Sequence, residues 1–371
     1  MRQSTDLIVQ RPEGLYCPAG DFYIDPWRPV ARAVITHAHA DHARRGHGHY
    51  LAVRSAEGLL RARLGAISLM GLDYGQRVVH HGVGLSLHPA GHVLGSAQVR
   101  LEHGGQVWVA SGDYKVAADR TCTPFEPVRC DVFITESTFG LPIYRWADDA
   151  QVFAAINRWW AANAAQDCVS VLMGYSLGKA QRLLSGLDEQ IAPILVHPSI
   201  EALNAIYRAA GVSLPATEPL SRWTSAAQAR REGWAGALVL VPPQAVTPAL
   251  LRRLGSASTA FASGWMQLRG ARRRAGWDTG FALSDHADWP GLQSAIAACG
   301  AQRIIVTHGS VSVMVRHLQE QGLQADAFET EYGVAHEGNE GQDGHDGQGS
   351  VERHAVPEAH QTQPQARDSL P

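Results

Sequence analysis

Short apolar runs separated by glycine or polar residues recur through residues 16–139. Four of them span three or four residues that are mostly apolar, at positions 33–36, 85–87, 107–110 and 132–135. Runs of this length bounded by turn-forming residues are typical of β-strands. Histidines and carboxylates follow or end several of these runs, where loops on a rigid scaffold place functional groups. This part of the chain is therefore predicted to form sheets whose strand ends carry one site.

The pattern changes between residues 147 and 275, where alanine-rich stretches with helical spacing alternate with apolar runs. Helices are predicted at 148–165, 179–187 and 200–210, and strands at 170–173, 194–197 and 237–241. Such alternation favours a separate α/β unit. Residues 281–288 and 304–308 then resume the earlier pattern of a strand followed by a histidine. The sequence predicts an α/β fold in which residues 147–275 interrupt one catalytic domain made of residues 1–146 and 276–332.

The segment 333–371 differs from the rest in composition. It is rich in Gly, Gln, Glu, Asp and His, and it contains no aromatic residue. A segment of this kind does not bury enough apolar surface to offset the entropy of ordering it. We therefore predict that residues 333–371 form a disordered tail.

Composition narrows the class of protein further. The chain has 371 residues, 45% of them hydrophobic, and no uninterrupted apolar run long enough to cross a membrane. Its five cysteines are scattered, without any C-x-x-C pair, which disfavours a disulfide framework or a cysteine-ligated zinc site. We expect a globular protein in the cytoplasm that does not bind membranes.

The formal net charge of −3 says little about partners, because the acidic residues are unevenly distributed. The tail 333–371 carries seven acidic residues and two arginines, and the rest of the chain has 30 basic against 28 acidic residues. One local basic cluster remains, formed by Arg269, Arg272, Arg273 and Arg274. It is either a surface that follows a phosphate backbone or a solvated arginine-rich face.

The most informative motif is H-x-H-x-D-H at residues 37–42. It contains His37, His39, Asp41 and His42, separated only by alanines. Core packing does not require four potential ligands within six residues. Imidazole and carboxylate ligands suit zinc and similar divalent ions, and two ligands on each of two neighbouring ions would explain the close spacing.

Two ions need more ligands than one motif provides, and three further residues are candidates. His92, Asp113 and His308 each follow or end an apolar run and have small neighbours. Asp25 is predicted to orient one of the ligands by a hydrogen bond. The sequence thus predicts a site for two divalent metal ions.

The order and context of these motifs resemble the metallo-β-lactamase superfamily and, more narrowly, its β-CASP nuclease branch. Three further motifs of that branch match Glu136, His286 and His308, and the insertion lies where the branch carries its cap domain. The resemblance covers residues 16 to 332 and includes the segment 175–181 of the insertion. It implies an αββα metallo-β-lactamase sandwich with an inserted α/β β-CASP cap domain.

The resemblance also implies a role for each residue. One metal ion would be held by His37, His39 and His92, the other by Asp41, His42 and His308, and Asp113 would bridge the two. Zn²⁺ is the favoured ion and Mn²⁺ the alternative. The ions would activate a water for attack on a phosphodiester, and His286, oriented by Glu136, would be the general acid. Asp41, Asp113, Glu136 and His286 are therefore the predicted catalytic residues.

Within this branch, residues 14–26 and 139–146 resemble a bacterial group of DNA-ligase-associated exonucleases. That resemblance implies a DNA repair enzyme that acts on single-stranded DNA ends, associated with an ATP-dependent DNA ligase and a helicase. His308, however, stands where RNA-acting members of the branch carry histidine. An RNA-processing nuclease is the alternative prediction.

Other classes fit the sequence less well. Residues 174–178 match G-x-S-x-G, the nucleophile motif of serine hydrolases, but the metal cluster already supplies a nucleophile. Gly178 and Lys179 do not form a P-loop, because Ala180 replaces the required Ser or Thr. Thioester and lactam hydrolases on this scaffold lack the insertion and the Glu136/His286 pair. A noncatalytic binding module would be expected to have lost ligands that this chain keeps.

Overall fold

A computed structural model describes residues 6–268 and 276–330. Within these residues the chain forms three β-sheets and eight α-helices. The arginine cluster at residues 269–274 and the predicted tail, residues 333–371, lie outside the described residues. No helix in the described part is both long and apolar enough to cross a membrane. The predicted mixed α/β class is confirmed.

The first sheet contains six strands that are adjacent in the order of the sequence. They are β1 (Val9–Arg11), β2 (Gly14–Cys17), β3 (Phe22–Ile24), β4 (Arg32–Val34), β5 (His49–Val53) and β6 (Leu69–Leu72). The first three pair antiparallel, and β3 to β6 pair parallel. Helix α1 (Glu57–Leu64) connects β5 to β6.

The second sheet has seven strands in the order β19-β18-β11-β10-β9-β8-β7. Their bounds are β7 (Val78–His80), β8 (Val83–Pro89), β9 (Ala97–His103), β10 (Gln106–Ala110), β11 (Val132–Ser137), β18 (Arg303–Gly309) and β19 (Gln324–Ala327). β10, β11 and β18 are parallel neighbours, and β8 runs in the same direction because two antiparallel pairings separate it from β10. The carboxyl ends of these four strands therefore lie at one edge of the sheet.

Alternate residues of the second sheet face two different cores. Trp108 and Ile134 pack into a core shared with the first sheet, whereas Val109 and Phe133 pack against two helices on the other face. These helices are α7 (Trp289–Cys299) and α8 (Val311–Glu320). The period-two alternation of a strand explains why one apolar run serves both cores. The strand ends are consequently held by packing on both sides.

The third sheet is entirely parallel, in the order β14-β13-β15-β12-β16-β17. Its strands are β12 (Val169–Met173), β13 (Ile194–Val196), β14 (Glu218–Pro219), β15 (Leu238–Val241), β16 (Ala257–Ala262) and β17 (Thr279–Phe281). Its helices are α2 (Asp149–Ala164), α3 (Lys179–Gly186), α4 (Pro198–Ala209), α5 (Ala226–Arg231) and α6 (Pro248–Leu254).

Helices cover both faces of this third sheet, as an all-parallel sheet requires. Leu172 and Leu240 pack in one core with α2, α3 and α4, and Val171 and Val239 pack in a second core with α5 and α6. The strands are therefore continuous apolar runs rather than alternating ones.

Leu240 tests how much the third sheet depends on this packing. Its side chain is fully buried on a central strand. We expect Leu240→Ala to lower the free energy of unfolding by about 2–5 kcal/mol, because it removes buried methyl groups and leaves a cavity. Urea titration measures the change. Met70→Ala, at a side chain 53% exposed, is the control and should change it by about 0.5 kcal/mol or less. Equal effects of the two substitutions would contradict this packing.

Candidate metal centre

The predicted ligands come from loops and strand ends that meet between the first two sheets. The H-x-H-x-D-H motif follows β4, His92 follows β8, Asp113 follows β10, and His308 lies near the end of β18. The common edge of the second sheet explains why residues so far apart in sequence lie close together. The strand-end placement brings one cluster together from four segments of the chain.

Four buried side chains form the first ligand set: His37, His39, His92 and Asp113. Their candidate ligand atoms all lie within 4.8 Å of one another. His39 Nδ1 is 3.1 Å from His37 Nε2 and 3.0 Å from His92 Nε2. Asp113 Oδ2 is 3.6 Å from His37 Nε2 and 3.8 Å from His92 Nε2. Three imidazole nitrogens and one carboxylate oxygen thus surround one point, which is a donor set suited to zinc.

The opposite nitrogens of these imidazoles face oxygen atoms. His92 Nδ1 is 2.9 Å from the main-chain oxygen of Asp285, and His39 Nε2 is 3.3 Å from that of Leu177. A proton on these nitrogens would leave the converging nitrogens as acceptors. Burial lowers the pKa of His39 to about 4 and that of His92 to about 3. Both imidazoles are therefore neutral near pH 7, the form that binds a metal ion.

The second ligand set is formed by Asp41, His42 and Asp113. His42 Nε2 lies 3.5 Å from Asp41 Oδ2 and 3.4 Å from Asp113 Oδ2. Among the described residues, the buried Oδ1 of Asp41 has no hydrogen-bond partner. A buried carboxylate oxygen usually has a partner, so its lack of one fits a metal ion at this position.

Asp25 orients His42. It accepts hydrogen bonds from the main-chain nitrogen of Thr36 at 2.7 Å and from His42 Nδ1 at 2.7 Å. Asp25 has φ of 42°, a left-handed conformation that is unfavourable for most residues other than glycine. These hydrogen bonds offset that strain and fix Nε2 of His42 toward the cluster.

Asp113 is the residue that the two ligand sets have in common. His308, which neither set includes, places its Nε2 3.2 Å from Asp113 Oδ1. All seven residues predicted as metal ligands therefore lie in one cluster. The cluster could therefore bind metal ions, and Asp113 belongs to both ligand sets.

Glu136 and His286, from β11 and from the loop before α7, form a pair beside the cluster. His286 Nδ1 is 2.9 Å from Glu136 Oε2, and the main-chain nitrogen of Tyr114 donates to Glu136 Oε1 at 2.8 Å. Burial raises the pKa of Glu136, but attraction and a hydrogen bond from His286, together with attraction from His308, leave this pKa below its ordinary value. The ring of His286 lies 4.7 Å from that of His92. Glu136 thus remains ionised and can hold His286 at the edge of the cluster.

The serine of the G-x-S-x-G match is not one of the side chains that form the cluster. Ser176, the serine of G-x-S-x-G, contacts Ser199 Oγ at 2.8 Å rather than a histidine. Ser176 therefore adds no group to the cluster.

Sequence reasoning missed the contribution of the third sheet's loops and the residues that hold them. Lys179, Arg182 and Asp285 are buried beside the cluster, although charged residues are rarely buried without partners. Leu177 and Asp285 face the cluster through main-chain oxygens, which any residue type supplies. The Gly178-Lys179 dipeptide was the available signal, and its resemblance to a P-loop pointed to another chemistry.

Comparison with known proteins supports a nuclease family. No family model matches the chain. The chain is 36% identical to "Probable DNA ligase" of Opitutus terrae. The alignment extends over 321 residues and covers 85% of this chain and 30% of that protein. The chain is 32% identical over 120 residues to "Cleavage and polyadenylation specificity factor subunit 3" of Dictyostelium discoideum, covering 31% of this chain and 15% of that one.

A third relative is "Endoribonuclease YSH1" of Yarrowia lipolytica, 30% identical over 143 residues, 38% of this chain and 16% of that one. The chain spans less than a third of the length of these curated relatives. Among solved structures, a protein of unknown function from Enterococcus faecalis V583 has a similar fold. The TM-score is 0.55 with 12% identity, over 81% of this chain and 80% of that chain.

Metal binding to the cluster should raise the melting temperature, because a ligand that binds only the folded state stabilises it. Zn²⁺ at 100 times its Kd contributes about 2.7 kcal/mol, or roughly 3–4 °C for a chain of this size. Differential scanning fluorimetry with and without Zn²⁺ measures the rise. We expect Asp113→Ala to lose most of it, since both ligand sets contain Asp113.

The matched control is His103→Ala, which removes an exposed histidine outside both ligand sets. It should keep the full Zn²⁺-dependent rise. The tail histidines are present in all three proteins, so any Zn²⁺ bound there cancels in the comparison. A full rise in Asp113→Ala would mean that Zn²⁺ binds elsewhere.

Proposed function

The chain belongs to the β-CASP branch of the metallo-β-lactamase superfamily, and we propose that it is a two-metal phosphodiesterase that degrades DNA from single-stranded ends. The main support for this proposal is that Asp113 belongs to both ligand sets. The hydrogen-bonded pair of Glu136 and His286 lies beside these two sets. In this proposal the first two sheets and their helices form the αββα sandwich. Residues 147–275 form the inserted cap domain.

Each predicted ligand has a proposed place. His37, His39 and His92 would hold one ion, Asp41, His42 and His308 the other, and Asp113 both. Zn²⁺ suits the five histidines best, with Mn²⁺ as the alternative. When bound, two such ions lower the pKa of a water and neutralise the charge that develops on phosphoryl oxygens.

The chain's own residues supply the rest of the reaction. Glu136 holds Nδ1 of His286, so Nε2, on the opposite side of the ring, is the nitrogen that gives a proton to the departing oxygen. His286 is 12% exposed at its side chain, and Glu136 is fully buried. The acid can thus meet substrate while its orienting partner remains shielded from water.

The coverage of the named relatives favours DNA as the substrate. The relative that matches 85% of this chain is named a probable DNA ligase, whereas those named endoribonuclease or polyadenylation factor match 29–38% of it. We therefore propose association with an ATP-dependent DNA ligase and with a helicase that exposes single strands. The second candidate is an RNA-processing nuclease, favoured by those relatives' names and by His308 beside Asp113.

Substrate and mode of cleavage are tested together by one assay. The purified protein is incubated with end-labelled single-stranded DNA or RNA of identical sequence, with Zn²⁺ or Mn²⁺ added, and products are resolved on a gel over time. We expect a ladder that shortens from one end of the DNA only. Faster cleavage of RNA would instead support the RNA-processing function, and internal cuts in DNA would contradict the exonuclease mode. Asp113→Ala protein serves as the blank for contaminating nucleases.

The role of His286 is tested by His286→Ala. We expect cleavage to slow by about 10²- to 10⁴-fold, the usual contribution of a general acid, while the metal content stays that of the unmodified protein. Single-turnover cleavage and metal analysis of the same sample measure both. A loss of metal on this substitution would mean that His286 is a ligand and not the acid. Glu136→Gln, which keeps the shape of the side chain, should give a smaller loss in the same direction.

A further inference from the structure

Two of the proposed metal-binding histidines contact segments of the chain that lie outside their own strand-end loops. The main-chain oxygen of Leu177 faces His39 Nε2, and that of Asp285 faces His92 Nδ1. Leu177 lies in the loop between β12 and α3, and Asp285 lies between β17 and α7. Two of the four ligands of the first set therefore depend on the third sheet's connections for their orientation.

One side chain connects these two segments. Lys179, the first residue of α3, is 1% exposed. Its Nζ donates to the main-chain oxygen of Leu283 at 2.9 Å and lies 3.2 Å from Asp285 Oδ2. Because Lys179 is only two residues from Leu177, it ties the loop behind His39 to the segment behind His92.

Arg182, one turn further along α3, holds the same segment from a second side. Its Nη1 lies 3.2 Å from Asp285 Oδ1 and also donates to the main-chain oxygen of Ser284. Its Nε is 3.1 Å from Asp119 Oδ2, and its Nη2 is 2.7 Å from Asp149 Oδ1. A buried charge left without its partner is strongly unfavourable, so these residues are held together. Asp285 consequently cannot shift without separating from two buried cations.

The backbone of the Leu177 loop is confined as well. Gly178 has φ of 83°, and a Cβ added there would lie 2.4 Å from Cγ1 of Val93, next to His92. Only glycine allows the loop to approach the cluster this closely. The motif that resembles a P-loop thus has a structural explanation: Gly178 permits the approach and Lys179 fixes it.

We propose that Lys179, through Asp285, is a positioning residue for one metal ion, the ion held by His37, His39 and His92. This inference rests on the proposed two-metal site. The other ligand set is oriented by a different residue, Asp25, which lies on the first sheet and contacts His42. Loss of the Lys179–Asp285 contact should therefore weaken the binding of one ion and leave the binding of the other unchanged.

A purely structural role predicts a different result. If the buried ion pairs only stabilise the fold, their loss lowers the melting temperature and leaves the relative affinities of the two ions unchanged. Selective loss of one ion is thus the readout that separates positioning from stability.

The test measures Zn²⁺ affinity of the full-length chain by chelator competition, without any nucleic acid. In Lys179→Met we expect one of the two ions to bind about 10- to 100-fold more weakly, the usual effect of removing a residue that orients a ligand, and the other to be unchanged. Asp285→Asn keeps the main-chain oxygen and the side-chain shape, and it should show a smaller loss. If Lys179→Met does not fold, the same measurement is made on Asp285→Asn alone.

Two further variants, each with one ligand set broken, identify which ion is bound more weakly. In Asp41→Ala protein, where the second ligand set is broken, Lys179→Met should weaken the remaining ion. In His37→Ala protein, where the first set is broken, it should have no effect. The matched control is Arg208→Met, which breaks the Arg208–Glu201 pair on the neighbouring α4, away from the histidines. It should leave both ions bound as in the unmodified protein.

Unchanged affinities in Lys179→Met, or equal weakening of both ions, would overturn the inference. Failure of the proposed function gives a separate result, because the unmodified protein would then bind fewer than two ions at the cluster. A double variant Lys179→Met/Asp285→Asn adds a further check. Its loss of Zn²⁺ affinity should not exceed that of Lys179→Met by more than about twofold, because both substitutions break the same Lys179–Asp285 contact.

Discussion

The site depends on a buried carboxylate surrounded by imidazoles. Asp113 is only 4% exposed, and its oxygens lie within 4 Å of nitrogens from His37, His42, His92 and His308. Burial opposes ionisation, yet attraction from the nearby imidazoles of His42 and His286, with His308 beside the carboxylate, holds the pKa of Asp113 well below its ordinary value. An anion held in this way needs positive charge nearby, which two divalent ions would supply. The surrounding strands and loops bring the necessary ligands to it.

The three sheets contribute differently to this arrangement. The second sheet aligns the carboxyl ends of β8, β10, β11 and β18, and the first sheet brings in the histidine motif and Asp25. The third sheet supplies no ligand among the seven predicted ones, but its connections provide Leu177, Lys179 and Asp285. The ion pairs of α3 thus link the inserted unit to the metal cluster.

The sequence predicted the parts of the site that are local or that carry distinctive side chains. The H-x-H-x-D-H motif concentrates ligands within six residues, and the apolar runs at 107–110 and 132–135 correspond to β10 and β11. The orienting contacts of His39 and His92 were not predicted, because main-chain oxygens have no residue preference. Lys179 and Arg182 were missed for a related reason, since their carboxylate partners lie more than 30 residues away in sequence. Such contacts depend on how the third sheet meets the second.

The positions of the metal ions would test the proposed two-metal site most directly. Crystals of the protein loaded with Zn²⁺ would be measured at the zinc absorption edge, where anomalous scattering locates each ion. A two-metal site predicts two peaks about 3.5–4 Å apart, both within coordination distance of the Asp113 carboxylate. A single peak at the cluster, or two peaks of which one lies away from Asp113, would contradict it.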